Sequence, residues 1–300
     1  MGYPLQKLPF FNQKEAAMNI INTVSRAPRE DLRGEMLCLS SLILTYCWVL
    51  FGMGIVLSIK QTRSREIPYG RYAGKSNSRR FIPAKLAWFL QELPSFLVPM
   101  LLVWRSGWRC GMGRMLLLSL FCAHYFQRTF VYSLLTKGRP SPLYIVMSAL
   151  IFCSVNGFVQ GHYLLHCAAY DDSWLTDVRL VTGVTLFLLG MAVNVHSDYI
   201  LRNLRKPGEI TYKIPKGGMF EYVSGANFFG EIIEWFGFAV ATWSLPAFAF
   251  AFFTLCSIGP RAYNHHRSDT RSVPPSGDNL NNFTIKAMEL RTNYVQHSFA

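Results

Sequence analysis

The run "MLCLSSLILTYCWVLFGMGIVLSI", residues 36–59, carries no charged side chain over about 24 positions. As a helix, a stretch of that length crosses the roughly 30 Å hydrocarbon core of a bilayer. Main-chain amides in hydrocarbon find no water, so an uninterrupted helix is the form such a run must take. It is too long for the apolar part of a secretory leader and shows no small-residue cleavage pattern, so it is read as a retained span. Six further apolar runs follow, at 84–104, 115–135, 143–167, 178–196, 219–242 and 244–259. The last two are the least distinct, and one helix kinked at Ser244-Leu245-Pro246 is the alternative. The expected fold is an all-α integral membrane protein with seven transmembrane helices.

Charge supports this. Only 16% of residues are charged, against roughly 25% in soluble domains. The net charge of +13 would suggest nucleic acid in a soluble protein, but here it suits basic cytoplasmic loops, and no nucleic-acid partner is expected. Lys60, Arg63, Arg65, Arg71, Lys75, Arg79 and Arg80 fill one loop, Lys137 and Arg139 another, and Arg202, Arg205, Lys206, Lys213 and Lys216 a third. With seven spans these loops share a face with Arg261, Arg267 and the C-terminus. The opposite face holds Arg105, Arg109 and Arg114, then the acidic Asp171, Asp172 and Asp177. The first face is therefore expected to be cytosolic, with the N-terminus across the membrane. The seven cysteines are scattered with no CxxC pair. They read as small core hydrophobes with free thiols, and no metal site is expected.

Polar residues interrupt the apolar runs, and each is costly there. Gln91 and Glu92 sit in the second span. The third holds His124, Tyr125, Arg128 and Tyr132. The fifth ends with Asn194, His196, Asp198, Arg202 and Arg205. The sixth holds Asn227, Glu231 and Glu234, and the seventh runs into Arg261, His265 and His266. Helical spacing aligns Tyr125, Arg128 and Tyr132 as one stripe, and Asn227, Glu231 and Glu234 as another. For any one of them, interhelical hydrogen bonding is the ordinary explanation. Five spans contributing polar groups to the same half of the membrane point instead to one buried polar chamber. Desolvation would keep Glu92 neutral and able to donate a hydrogen bond. A neutral acid beside a phenol, Tyr125, makes a clamp for a carbonyl oxygen that gains charge. Arginines near the cytosolic end suit phosphates. Trp88, Phe89, Phe152 and Trp235 suit a flat apolar substrate. A phosphate-bearing cofactor acting on a carbonyl-bearing lipid fits these features; spacing alone does not name the reaction.

The stretches "AWFLQELPSF", "HYFQRTFVYSLL", "NVHSDYILRNLRKPGE", "SGANFFGEIIEWFG" and "PRAYNHHR" resemble the steroid 5α-reductase family over roughly residues 37–267, the type 2 branch most of all. The resemblance implies a multi-pass enzyme of the endoplasmic reticulum membrane, with a lumenal N-terminus and cytosolic C-terminus. It implies NADPH-dependent reduction of the C4–C5 double bond of 3-oxo-Δ4 steroids drawn from the bilayer, as in conversion of testosterone to dihydrotestosterone. Gln91, Glu92 and Tyr125 fall on the family's catalytic positions, where Glu92 and Tyr125 polarise the 3-carbonyl while hydride reaches C5. Arg128, Tyr132, Asn194, Asp198, Arg205, Asn227, Glu231, Arg261 and His265 fall on its cofactor positions. Trp88, Phe152 and Trp235 fall on its steroid wall. Oligomeric state is not implied.

The family domain is expected over 36–267, after a polar and flexible extension at 1–35; Met36 is an equally good start. Residues 268–300 depart from the family's tail. They are polar, with Pro and Gly among them, and are expected to be disordered. Other readings kept open are a reductase of a polyprenol or enoyl lipid, an isoform impaired by its tail, and a seven-span sterol-binding protein without chemistry.

Overall fold

The computed structural model describes residues 40–63, 80–107, 111–170, 172–205, 209 and 213–272, with side chains as far as Arg267. The extension at 1–35, most of the basic loop at 64–79 and the tail beyond 272 lie outside the described residues.

Among the described residues, seven helices carry the fold. They are α1 (Ser40–Arg63), α2 (Ala84–Arg105), α3 (Met112–Phe126), α4 (Leu143–His162), α5 (Val178–Asn203), α6 (Ala226–Thr242) and α7 (Leu245–Ser272). Helix α3 continues through a π-helical stretch, Gln127–Tyr132, and a closing turn, Ser133–Leu135. Helix α4 ends in a similar stretch, Tyr163–Cys167. Five of these are long and apolar enough to cross a membrane: α1, α2, α4 with its extension, α5 and α7. This is a multi-pass membrane protein. Helices α3 and α6 are shorter and carry His124, Tyr125, Glu231 and Glu234.

Two strand residues, Phe81–Ile82 (β1), pair antiparallel with Ser141–Pro142 (β2), placing Phe81 opposite Pro142. The clip ties the starts of α2 and α4 together. Helix α2 contains Pro94 and Pro99, each of which removes an amide donor and loosens the turn before it. Helix α4 meets that loosened face through glycines. A Cβ on Gly157 would lie 2.9 Å from the Ser95 Cα, and one on Gly161 would lie 3.2 Å from the Pro99 Cα. The main chains can therefore approach closely.

The sixth span is shorter than the expected 219–242. Gly217 and Gly218 have φ of +89° and +54°, a region open to glycine, and after them Gly218–Glu221 forms only a 3-10 turn. The break expected near Ser244 is complete. Helix α6 stops at Trp243, which is left-handed at φ 45°. Ser244 then caps α7, its Oγ accepting from the Ala247 amide at 3.4 Å, with Pro246 in the first turn where a missing N–H costs nothing. Helix α7 runs on through Pro260 to Ser272, beyond the expected boundary at 267.

The core gathers around Trp235, which is 1% exposed. Its ring lies 5.7 Å from Phe121, 5.9 Å from Phe238 and 4.6 Å from Phe250. Cys47, Cys122, Cys153 and Cys256 are free and packed in the bundle, as expected. Cys167 departs from that expectation: it is disulfide-bonded. It sits at the end of the α4 extension, at the edge of the apolar region, and not within it.

Candidate active site

Tyr125 is the last buried residue of α3 before the helix widens, and it is 3% exposed. Its hydroxyl oxygen accepts from the Asn156 amide nitrogen of α4 at 3.3 Å. Asn156 in turn accepts the Tyr46 hydroxyl of α1 at 2.6 Å. Gln160, one turn further along α4, donates to Asn156 Oδ1 at 3.4 Å and to the Pro246 carbonyl at 3.0 Å. Ser95 of α2 lies near Tyr125 and donates its own proton to the Cys153 carbonyl at 2.9 Å. Glu92, three residues before Ser95, is half-buried. It is electrostatically close to Tyr125 and to Arg128, His124 and Glu231. Gln91 is buried at the neighbouring position of α2.

One turn beyond Tyr125, Arg128 is 7% exposed. It donates to Asp198 of α5 at 2.9 Å. Its guanidinium lies 4.0 Å from the Tyr132 ring centre and 4.9 Å from that of Trp88, and those two rings meet edge-on at 5.0 Å. The cation is thus held by one carboxylate and two π faces, an arrangement a planar guanidinium suits and an ammonium does not. Asn194 donates to the Asn227 carbonyl at 2.9 Å, joining α5 to the start of α6. His265 stacks on Phe228 at 6.0 Å, and Ser224 contacts His266 at 2.8 Å. Arg261 is half-buried, 3.5 Å from Ser257, and Arg205 is exposed just past α5.

The expected stripe on α3 divides. Tyr125 joins the α1–α4 hydrogen-bond network, whereas Arg128 and Tyr132 join Trp88 and Asp198. The cause is the π-helical stretch that begins at Gln127, since wider turns shift residues off an ideal α-helical stripe. On α6, Glu234 is fully buried and contacts His124 Nδ1 at 2.7 Å, while Glu231 faces Arg128 and His124. His124 in turn packs its ring 5.0 Å from Tyr125. Trp88 meets Arg128 and Tyr132, residues expected at the cofactor. Trp235 packs 5.7 Å from Tyr125. Phe152 stacks on Phe253 at 4.9 Å and reaches Phe250 at 6.1 Å. Sequence reasoning passed over Tyr46, Ser95, Asn156 and Gln160. The spacing of Asn156 and Gln160, one helical turn apart beside glycines in an apolar run, was the available signal. Among the described residues, no group of three or more metal-ligating side chains gathers.

The sequence has known relatives. Residues 139–275 match the family described as 3-oxo-5-alpha-steroid 4-dehydrogenase. The chain is 63% identical over 187 residues to 3-oxo-5-alpha-steroid 4-dehydrogenase 2 of Macaca fascicularis, covering 62% of this chain and 74% of that relative. It is 62% identical over 187 residues to the Homo sapiens protein of the same name, with the same coverage. To 3-oxo-5-alpha-steroid 4-dehydrogenase 1 of Homo sapiens it is 46% identical over 231 residues, 74% of this chain and 86% of that relative. The chain therefore belongs to the steroid 5α-reductase family of oxidoreductases.

Proposed function

We propose that this protein reduces the C4–C5 double bond of 3-oxo-Δ4 steroids, with Glu92 and Tyr125 holding the 3-carbonyl oxygen. What supports this reading is a half-buried carboxyl on α2, Glu92, and a buried phenol on α3, Tyr125, close enough to interact electrostatically. Two donors from different helices can hold one oxygen and oppose its charge in a medium that screens little. As O3 gains charge, both groups strengthen their hydrogen bonds to it, and C4 then takes a proton. The surrounding aromatic core excludes water and offers a flat apolar wall.

The family implies a nicotinamide cofactor, and we assign NADPH. The donor set suits it. Arg128 supplies a fork for phosphate. Asp198 and Glu231 are carboxylates that can accept from hydroxyls and amides. The hydroxyls of Thr129 and Ser197, next in sequence to Arg128 and Asp198, are buried without a hydrogen-bond partner. Arg128, Tyr132, Asn194, Asp198, Arg205, Asn227, Glu231, Arg261 and His265 are the residues we assign to holding it. When bound it supplies the hydride; the protein's part is to orient the steroid and stabilise O3. From the basic loops we assign the C-terminus to the cytosol and the N-terminus to the lumen of the endoplasmic reticulum.

The test is NADPH-dependent conversion of testosterone by membranes from cells expressing the chain. Glu92→Gln is expected to lower kcat by about 10²- to 10³-fold, the usual effect of losing one oxyanion donor, with steroid binding largely kept. Unchanged turnover would remove Glu92 from the mechanism. A chain that instead reduces a polyprenol or enoyl lipid and ignores steroids would redirect the substrate assignment.

A further inference from the structure

We infer that Asn156 is a positioning residue that sets the direction of the Tyr125 proton, through a chain of hydrogen bonds anchored on the Pro246 carbonyl. The inference rests on the proposed role of Tyr125 as a donor to the substrate oxygen.

The order of donors follows from groups with only one choice. A carbonyl can only accept, so the group 3.0 Å from the Pro246 oxygen must be the Gln160 amide nitrogen. That nitrogen also lies 3.4 Å from Asn156, so the Asn156 atom facing it is the oxygen. The same oxygen takes the Tyr46 proton at 2.6 Å. Both contacts settle the amide orientation, which heavy-atom positions alone leave ambiguous. The Asn156 nitrogen is thereby turned toward Tyr125, 3.3 Å from its hydroxyl oxygen. A phenol oxygen that receives an N–H keeps its own proton for another acceptor.

The α2 side is where that acceptor would enter. Ser95 lies near Tyr125 with its own proton committed to the Cys153 carbonyl, and Ser95 and Glu92 are three residues apart on α2, on the same side of the helix. With the Asn156 amide occupying one side of the Tyr125 oxygen, the phenol proton is left for a carbonyl oxygen arriving beside Glu92. No bond is made or broken at Asn156. Preorganisation of this kind acts on the transition state more than on substrate affinity.

Asn156→Asp keeps the shape but puts an acceptor opposite Tyr125, which draws the phenol proton away from the substrate. It is expected to lower kcat for testosterone by about 10²-fold, the scale of losing one oxyanion donor, with KM for steroid and for NADPH within about threefold. Tyr46→Phe removes one of the two protons that hold the Asn156 oxygen, and is expected to lower kcat by about 3- to 10-fold, one neutral hydrogen bond's worth. In a Tyr125→Phe background neither change should reduce the residual turnover further, because the route they act through is gone. A purely structural role predicts equal losses in both backgrounds. Equal losses, or wild-type kcat in both variants, overturn the inference and leave the assigned reaction standing. Should Asn156→Asp fail to accumulate, Tyr46→Phe alone decides between these outcomes. A wild-type chain that converts no 3-oxo-Δ4 steroid removes the functional reading and this inference together.

Discussion

Arg128 shows how much a single side chain can be asked to hold. It pairs with Asp198 and lies across the faces of Trp88 and Tyr132, and a phosphate would be a further partner. Arg128→Lys keeps the charge and loses the fork and the stacking. We expect KM for NADPH to rise about tenfold, the loss of about one desolvated cation–π contact, with kcat at saturating NADPH changed far less. A rise in steroid KM with no change for NADPH would place Arg128 elsewhere. The charged members of this site were legible because an ionisable group in an apolar run stands out against its cost. Their partners were not. Tyr125 and Arg128 looked like one stripe because α-helical spacing was assumed, and nothing in "HYFQRTFVY" announces a π-helical turn. Asn156 and Gln160 were overlooked because neutral amides in a span read as ordinary interhelical glue.

Between elements, the closest approach is that of α5 to α6. Built Cβ atoms on Gly183 and Gly190 would lie 2.2 Å from the Ala241 nitrogen and 2.4 Å from the Glu234 nitrogen. On Gly230 and Gly237 they would lie 2.6 Å from the Asn194 nitrogen and 2.4 Å from the Phe187 nitrogen. The obstacles are main-chain atoms, which cannot rotate aside. Small residues repeated along both helices allow this contact, and it brings Asn194 and Glu234 to the site. Gly230→Ala should destabilise the protein by about 1–3 kcal/mol, the cost of overpacking, and weaken NADPH binding through Asn194. Thermal melts in detergent, with and without NADPH, measure both effects. Gly52→Ala is the control, since nothing lies within 4 Å of its Cβ position, and it should leave the melt unchanged or slightly raised. The existence of α5 and α6 could be read from hydropathy. Their pairing could not, because glycines seven residues apart on each helix do not name their partner until the two are side by side.

For the molecule as a whole, the assigned orientation has a consequence on each side of the membrane. The β1–β2 clip and residues 136–142 lie at the start of α4, and Cys167 lies at its far end. Disulfides persist in oxidising compartments, so the Cys167 end belongs to the lumen under this assignment, in agreement with the basic loops. Protease added to sealed microsomes should cut near Lys137–Arg139 and spare the segment from Ala168 to Asp177 until detergent is added. Protection of the first segment and cleavage of the second would invert the topology. The interlocked main chains of α5 and α6 also restrict where such a protein can breathe. Parting that pair would separate backbone from backbone at four glycines. The seam between α4 and the α1–α7 pair is joined through α4 side chains, Phe152 on Phe253, Asn156 on Tyr46 and Gln160 on the Pro246 carbonyl. Side chains can swing where glycine-packed main chains cannot, so any parting of the bundle would fall on the second seam before the first.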